Sequence, residues 1–151
     1  MIVRLPPSVH GDGDHGFVPA LIGITRKKGV SAYIGDGLNR WPAVHRFDAA
    51  RLYRLALEKG PAGARYHGVA DEGVPVRDIA EVIGRRLGLP VIAKSPEEAA
   101  GHFGWLANFL GVDCPASGAQ TQKQLGWRPT HSSLIADIDG PAYFEAVPVE
   151  T

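Results

Sequence analysis

The chain has 151 residues, enough for one domain with one contiguous core. Sixteen Lys and Arg balance sixteen Asp and Glu, so no net field draws the chain to nucleic acid or an anionic membrane. The single cysteine excludes an internal disulfide and is typical of a reducing compartment. No apolar run approaches the roughly 20 residues that span a bilayer, and the first residues do not resemble a signal peptide. The composition therefore predicts a cytoplasmic globular chain.

Apolar periodicity and turn residues predict strands that alternate with helices. In chain order, the pattern gives a strand at residues 2–5, a helix at Phe17–Lys28, a strand at 30–34, a helix at 49–58, a strand at 64–69, a helix at 75–87, a strand at 90–94, a helix from 96 towards 111 and a short helix ending near 125. Residues 8–16 are predicted to be a polar loop, and the stretch 38–47 is predicted to be irregular or briefly extended. This alternation predicts an α/β fold with parallel pairing, but with too few strands for an independent doubly wound sheet.

Three polar residues mark predicted helix N-termini. Asp48 is expected to cap the helix at 49–58. Ser95, followed by Pro96 and three positions later by Glu98, has the pattern of a capping box. Ser117 begins a similar pattern before the short helix that ends near residue 125. These positions fix where we expect each helix to begin.

Residues 11–16 match the Gly-x-Gly-x-x-Gly dinucleotide fingerprint, and Asp36 follows at about the expected distance. Asp12 and Asp14 would stand beside the pyrophosphate and repel it. The predicted strand at 2–5 is also five residues away from Gly11, too far for a tight strand-to-helix turn. We therefore favour a connecting loop that uses the conformational freedom of glycine.

Two other groups of residues could carry chemistry but have commoner explanations. The imidazoles and carboxylates of His10, Asp12, Asp14 and His15 have no spacing that fixes a metal geometry, so a hydrophilic loop is favoured. Cys114 has no signature of an activated thiol, and a structural role is favoured.

Arg40 and Trp41, with His45 and Arg46, form the most interesting polar cluster outside the first loop. The tryptophan could cover a ligand pocket, with an arginine meeting an anionic group. A tryptophan packed over a loop beside solvated arginines explains the same residues equally well. The sequence leaves both interpretations open.

A family resemblance is carried by four segments, which are residues 2–13, residues 35–40 with 44–50, residues 75–80 and residues 124–129. Taken in order, they resemble the C-terminal half of extended or atypical short-chain dehydrogenases/reductases, the NAD(P)-dependent epimerase/dehydratase group. The first resembles a late sheet strand and its turn, the second a Gly-Asp-Gly to Val-His stretch, the third the helix after the last sheet strand, and the fourth a Leu-Gly-Trp-x-Pro signature.

The resemblance implies an incomplete Rossmann-like parallel sheet, made of late strands, plus a small α/β substrate-binding subdomain. Residues 1–140 would be the C-terminal portion of such a domain, and residues 141–151 a flexible tail. It also implies that some positions line the site. The cofactor-binding positions, against the nicotinamide end of NAD or NADP, are Leu5, Pro6, Pro7, Ser8 and Val9. The substrate-binding positions are His10, Phe17, Arg40, Trp41 and His45.

The sequence departs from the family in its chemistry. None of the four tyrosines has a lysine four positions later, so the family's Tyr-x-x-x-Lys pair is absent. That pair exchanges a proton because the lysine lowers the pKa of the phenol. His10 replaces a frequent Tyr, and Phe47 replaces the first Asp of the usual pair. No catalytic residue and no metal site is assigned, and the chain alone is expected to be inactive.

The leading hypothesis is the substrate-binding C-terminal part of an NAD(P)-dependent oxidoreductase acting on a small hydroxylated or sugar-nucleotide substrate. Its expected partners are that substrate and either an N-terminal half chain or a second copy, with no nucleic acid and no membrane. The alternative is a non-catalytic ligand-binding or interaction module derived from the same fold. An independent nucleotide binder built on residues 11–16 is a weaker third possibility.

Overall fold

The computed structural model describes residues 1–145, which form an α/β fold, as predicted. The strands are β1 (Ile2–Arg4), β2 (Ser8–His10), β3 (Ser31–Ile34), β4 (Arg40–His45), β5 (Arg65–His67), β6 (Asp71–Pro75) and β7 (Val91–Lys94). The α-helices are α1 (Phe17–Lys28), α2 (Arg46–Lys59), α3 (Val76–Leu87), α4 (Pro96–Phe103), α5 (Ala107–Leu110), α6 (Ala119–Leu125) and α7 (Leu134–Ile138). Two 3-10 helices lie at Gly104–Leu106 and Pro141–Tyr143.

The described strands pair in three small sheets, and most of the pairing is parallel. β1 pairs with β5, and β3 pairs with β7, both in parallel. β4 is the centre of the third sheet, with β2 parallel on one side and β6 antiparallel on the other. The architecture is therefore part of a Rossmann-like sheet combined with a small α/β unit.

Two apolar cores hold these sheets and helices together. The larger lies among α1, α3, α4, α5 and α7, with fully buried side chains such as Leu21, Ile83 and Leu106. The smaller packs α2 and α6 against β5, around Tyr66 and Trp127. Burying apolar area at about 25 cal/mol per Å² makes these two cores the main stabilising contribution.

Two segments form strands where the sequence predicted a loop in one case and an irregular or briefly extended stretch in the other. Residues 8–10 lie in the predicted polar loop, but they form β2 and pair with Ala43, Val44 and His45. The stretch 38–47 contains β4, whose register with β6 shifts between Trp41 and Ala43. Pro42, at that shift, has no N–H to donate, so the ladder of hydrogen bonds is interrupted there. A proline in this position also makes the segment difficult to predict as a strand.

Helix starts agree with the sequence at one predicted cap and differ at two. Ser95 and Glu98 form the predicted capping box. The cap of α2 is His45 instead of Asp48, which is buried inside the first turn and used elsewhere. The cap of α6 is Gly118, and the preceding Ser117 hydroxyl accepts from the Ala119 N–H at 3.2 Å while it donates to Glu72 at 2.8 Å. At Asp48 a tertiary contact replaced the expected local one, whereas Ser117 keeps a local hydrogen bond beside its tertiary one.

The predicted tail begins with an ordered turn. Pro141–Tyr143 form a 3-10 helix, and the Tyr143 hydroxyl donates a hydrogen bond of 2.7 Å to Asp14. Residues 146–151 lie outside the described residues, so most of the predicted tail does as well. No helix within residues 1–145 is long and apolar enough to cross a membrane.

Two helical glycines give a matched test of the packing between α3 and β7. A Cβ on Gly84 would lie 2.4 Å from Val91 Cγ2, whereas a Cβ on Gly101 of α4 would meet no atom within 4 Å. We expect Gly84→Ala to lower the free energy of unfolding by about 1–3 kcal/mol, because a packed contact is overfilled. Gly101→Ala should raise it by about 0.5–1 kcal/mol through helix propensity. Urea unfolding followed by circular dichroism measures both, and a stable Gly84→Ala protein would contradict the packing described.

Candidate functional site

The predicted cofactor segment, Leu5 to Val9, contains the turn between β1 and β2 and the first two residues of β2. Leu5 is exposed, while Pro6 and Ser8 are buried. The Ser8 hydroxyl oxygen has no hydrogen-bond partner within residues 1–145. A buried hydroxyl without a partner is costly, so this segment has an unmet hydrogen-bonding capacity.

Two predicted substrate residues, His10 and His45, are neighbours at the ends of β2 and β4. They face each other in the strand register, and their rings meet edge to face with centroids 5.4 Å apart. His10 is buried and donates through Nδ1 to Asp137 Oδ2 at 2.6 Å. Because a carboxylate only accepts, the proton of His10 lies on Nδ1 and fixes the orientation of the ring. His10 Nε2 has no partner among the described residues.

His131 completes a cluster of three imidazoles. Its ring stacks on His45 with centroids 4.7 Å apart and planes 12° from parallel. Burial lowers the pKa of His45, and the neighbouring His10 and His131 lower it further, while Asp137 and Asp48 act in the opposite direction. His45 is therefore the imidazole whose surroundings favour the neutral form.

Asp48 is the buried carboxylate that anchors this side of the site. It accepts hydrogen bonds from the backbone N–H groups of Thr130 and His131 at 3.1 and 3.0 Å, and from His131 Nδ1 at 3.0 Å. Arg51 Nη2 lies 3.1 Å from its Oδ1. Burial alone would raise the pKa of Asp48, but the hydrogen bonds from His131 and Thr130 outweigh it and lower that pKa.

Residues 127–143, which we call the C-terminal strap, cross the ends of β2 and β4. Besides Asp48 and His10, two further side chains hold the strap. Asp71 accepts from the backbone N–H of Leu134 at 2.8 Å, and the N–H of Gly11 donates to the Tyr143 hydroxyl at 3.1 Å. The strap therefore forms one wall of the candidate site.

Phe17 and Trp41, the predicted aromatic residues of the substrate wall, lie together in a separate cluster. Their ring centroids are 5.4 Å apart, and Trp41 is buried behind Phe17. Trp105 and Phe109 lie 6.0 and 5.6 Å from the Phe17 ring and are 60% and 49% exposed. Phe17 thus connects the buried core to an exposed aromatic surface.

Arg40 lies apart from the other predicted substrate residues. Adjacent strand residues point to opposite faces, so Arg40 faces away from Trp41. Its guanidinium forms a two-point pair with Asp113, Nε to Oδ1 and Nη2 to Oδ2, both at 3.1 Å. It borders a cavity of about 430 Å³ together with Glu72 and Pro115. The structure therefore distributes the five predicted substrate residues over three places.

The glycine-rich loop at residues 11–16 is closed by side chains of the chain itself. Asp14 Oδ1 accepts from the Gly16 N–H at 2.7 Å, at the N-terminal end of α1, and Asp14 Oδ2 accepts from Tyr143. One premise from the sequence was wrong, since β2 directly precedes Gly11. The Asp14 carboxylate binds the N–H at the N-terminal end of α1, where the fingerprint interpretation would place an anionic group. Burial raises the pKa of Tyr143, which keeps this phenol protonated.

Within residues 1–145, no three His, Cys, Asp or Glu side chains are grouped so that they could hold a metal ion. Burial raises the pKa of the Cys114 thiol, and the neighbouring Asp113 carboxylate raises it further. This thiol is therefore protonated and weakly nucleophilic at neutral pH.

Sequence reasoning missed the residues that organise the site, Asp48, His131, Asp137 and Tyr143. Asp48 was assigned to a helix cap, and the other three lie in a region without a strong periodicity. The one available signal was the Leu-Gly-Trp-x-Pro segment, because Trp127 is fully buried and its indole N–H donates to the Asp48 carbonyl at 2.9 Å.

Two curated relatives match almost the whole chain. Uncharacterized protein C2A9.02 of Schizosaccharomyces pombe is 61% identical over 143 residues, which are 95% of this chain and 48% of that protein. Uncharacterized protein YLL056C of Saccharomyces cerevisiae is 50% identical over 137 residues, 91% of this chain and 46% of that protein. The chain spans about half the length of the curated relatives it matches. No protein-family model matches the sequence.

Solved structures with a similar fold include three enzymes. DesIV, a dTDP-glucose 4,6-dehydratase from Streptomyces venezuelae with NAD bound, has a TM-score of 0.65 and 22% identity over 91% of this chain and 40% of its own. WbmG from Bordetella bronchiseptica, in complex with NAD and UDP, has a TM-score of 0.67 and 14% identity over 95% and 42%. UDP-glucose 4-epimerase from Thermotoga maritima, with UDP-glucose, has a TM-score of 0.66 and 21% identity over 94% and 44%.

These matches define the class of fold. The chain has part of the Rossmann-like fold of epimerase/dehydratase-type short-chain dehydrogenases/reductases, and the extent of the match is consistent with their C-terminal half.

Asp48→Asn tests the anchor of the C-terminal strap. We expect it to lower the free energy of unfolding at neutral pH by about 1.5–3 kcal/mol, because hydrogen bonds to a charged acceptor are weakened. The lowered pKa of Asp48 adds stability above its unfolded pKa of about 3.9, and that stability is lost as pH falls through the native pKa. The variant should therefore lose less stability than the wild type on acidification. Asp139→Asn, which removes a surface pair with Arg85, should cost at most about 1 kcal/mol. Equal effects of the two changes in urea unfolding would contradict the role given to Asp48.

Proposed function

We propose that this chain is the substrate-binding C-terminal part of an NAD(P)-dependent oxidoreductase of the short-chain dehydrogenase/reductase class. Its substrate would be a small hydroxylated molecule or a sugar nucleotide. The observation that carries the proposal is the structural match, which extends over 91–95% of this chain but over only 40–44% of the matched enzymes. The curated relatives, about twice as long as the matched region, support the same division.

The predicted cofactor segment fits a bound nicotinamide dinucleotide in one testable respect. Ser8 is buried, and its hydroxyl lacks a partner within residues 1–145, so a polar group placed against this segment would satisfy it. Leu5 offers an exposed apolar side chain beside it. In our proposal, Leu5 to Val9 bind the nicotinamide end of NAD or NADP, which supplies hydride exchange with the substrate when bound.

The chain's own residues would orient the substrate. His10 is held in one orientation by Asp137, and the C-terminal strap closes the same side of the site. Phe17 offers an aromatic face backed by Trp41. Arg40 would need to leave Asp113 before it could bind an anionic substrate group, so we give it a smaller role than the sequence suggested.

The proton-transfer pair is assigned to sequence that this chain does not contain. The four tyrosines of the chain lack the Tyr-x-x-x-Lys spacing. We infer that the pair, and most of the cofactor site, lie in the part of the longer relatives that the match does not cover. Activity would then require that part, either as a separate chain or as a fused one. A cytoplasmic location, a second copy as partner and the boundary at residue 140 remain predictions.

The surface where that part would join is the free edge of β1. Within the described residues, β1 has a strand partner on one side, β5, and its apolar residue Ile2 is 48% exposed. An unpaired strand edge with an apolar side chain favours pairing with another strand. β1 is thus the natural position for the next strand of a larger parallel sheet.

We expect this chain to form a one-to-one complex with the unmatched part of the Schizosaccharomyces pombe relative, measured by sedimentation. The complex should bind NADH or NADPH by nicotinamide fluorescence, and the chain alone should not. Ile2→Asp should weaken assembly at least about tenfold, because a charge is placed at the buried junction. Leu57→Asp, at a 77% exposed position on α2, should leave assembly unchanged.

Failure to form a complex would overturn the proposed division of the enzyme. A complex that binds a nucleotide sugar but neither NADH nor NADPH would instead favour the non-catalytic binding module.

A further inference from the structure

The three clustered imidazoles differ in their hydrogen-bond partners. The two outer rings each bind a carboxylate through Nδ1, His10 with Asp137 and His131 with Asp48. The middle ring, His45, makes no ion pair within residues 1–145, and its Nδ1 accepts a hydrogen bond from the Phe47 backbone N–H at 3.2 Å. An imidazole nitrogen that accepts carries no proton, so the single proton of neutral His45 lies on Nε2.

The hydrogen bond from Phe47 to His45 is the N-cap of α2. The first N–H groups of a helix have no partner inside it, and the side chain of the capping residue satisfies one of them. When His45 gains a second proton, the Nδ1 lone pair forms an N–H bond and can no longer accept from Phe47. Protonation therefore removes the cap by the same chemical step that charges the ring.

Loss of this cap would affect the C-terminal strap through Asp48. Asp48 lies in the first turn of α2, two residues after Arg46, where the helix begins. The same carboxylate holds the N–H groups of Thr130 and His131. Loosening the first turn therefore moves the group that anchors the strap.

The surrounding charges also act against a protonated His45. The charged and titratable side chains around the ring are His10 of β2, His131 and Asp137 of the strap, and Arg46, Asp48 and Arg51 of α2. Arg46 lies with its guanidinium 4.6 Å from the centre of the Phe47 ring and beside Gly11. A proton on His45 would place a charge in contact with two other imidazoles, each held by its own carboxylate.

We propose that His45 is an acid-sensitive catch, which when neutral holds the first turn of α2 and the C-terminal strap against β2 and β4, and when protonated releases both. The direction of the effect follows from burial, which lowers the pKa of His45 below that of an unfolded histidine, about 6.5. A neutral group favoured by the fold stabilises it fully above that pH. The stabilisation is lost as pH falls below about 6.5. Acidification would therefore open the strap side of the site.

Hydrogen exchange at single amides, corrected for intrinsic rates, tests the catch in the chain as it stands. Between about pH 7.5 and about pH 5, we expect protection of the Phe47, Thr130 and His131 amides to fall roughly threefold or more in the wild type. His45→Asn should remove this dependence, because asparagine is a good N-cap acceptor and does not titrate. His15→Asn, an exposed position in the glycine-rich loop, should behave as the wild type does.

Two results would overturn the proposal. One is the same pH-dependent loss of protection in His45→Asn as in the wild type, since titration of His10 or His131 would then explain it. The other comes from the wild type alone and does not depend on a variant that folds. Nitrogen-15 shifts of the His45 ring must show the Nε2–H form at neutral pH, and a proton on Nδ1 would exclude the proposed cap.

Discussion

The arrangement of the candidate site depends on the burial of one carboxylate, Asp48. A carboxylate taken out of water must be satisfied by hydrogen bonds, and the partners available here are the backbone N–H groups of Thr130 and His131. The Asp48 carbonyl accepts from the Trp127 indole at the same place. One residue of α2 therefore fixes both the start of the C-terminal strap and the tryptophan at the centre of the smaller core. Without Asp48, these hydrogen bonds between α2 and residues about 80 positions later in the sequence would be lost.

Once the start of the strap is fixed, the rest of the site follows from its path. The strap brings Asp137 to His10 and Tyr143 to the glycine-rich loop, and it places His131 on the ring of His45. The contacts of Asp137 and Tyr143 are hydrogen bonds that satisfy His10 Nδ1 and the Gly11 N–H, and the contact of His131 with His45 is a ring stack. The site is therefore assembled by the part of the chain with the weakest secondary-structure signal.

The two-stranded pair of β1 and β5 has a different character from the rest of the molecule. A parallel pair is stable mainly when both faces and its neighbours are covered, and β1 has a partner on one side within the described residues. This pair packs in the smaller core through Val3 and Tyr66, whereas the other two sheets contribute most of their buried apolar side chains to the larger core. In the proposed function, a strand from the part of the relatives that the match does not cover would complete this pair. That strand would place the proposed junction with a larger sheet at β1, away from the exposed aromatic surface around Trp105.

The sequence alone determined the class of fold and the helices with strong periodicity. Phe17–Lys28 begins and ends as predicted, and the capping box at Ser95 formed because all of its partners lie within four residues. The match to epimerase/dehydratase-type folds also agrees with the family resemblance read from short motifs.

Only the tertiary structure decided where the predicted site residues meet. His10 and His45 come together because β2 and β4 pair in parallel, and Arg40 separates from Trp41 because strand residues alternate faces. Asp48 does not cap α2 but binds groups about 80 residues away in the sequence. Local spacing cannot predict such a contact. Contacts between distant segments depend on how the cores pack, and this is the physical reason why the sequence could not give the arrangement of the predicted site residues.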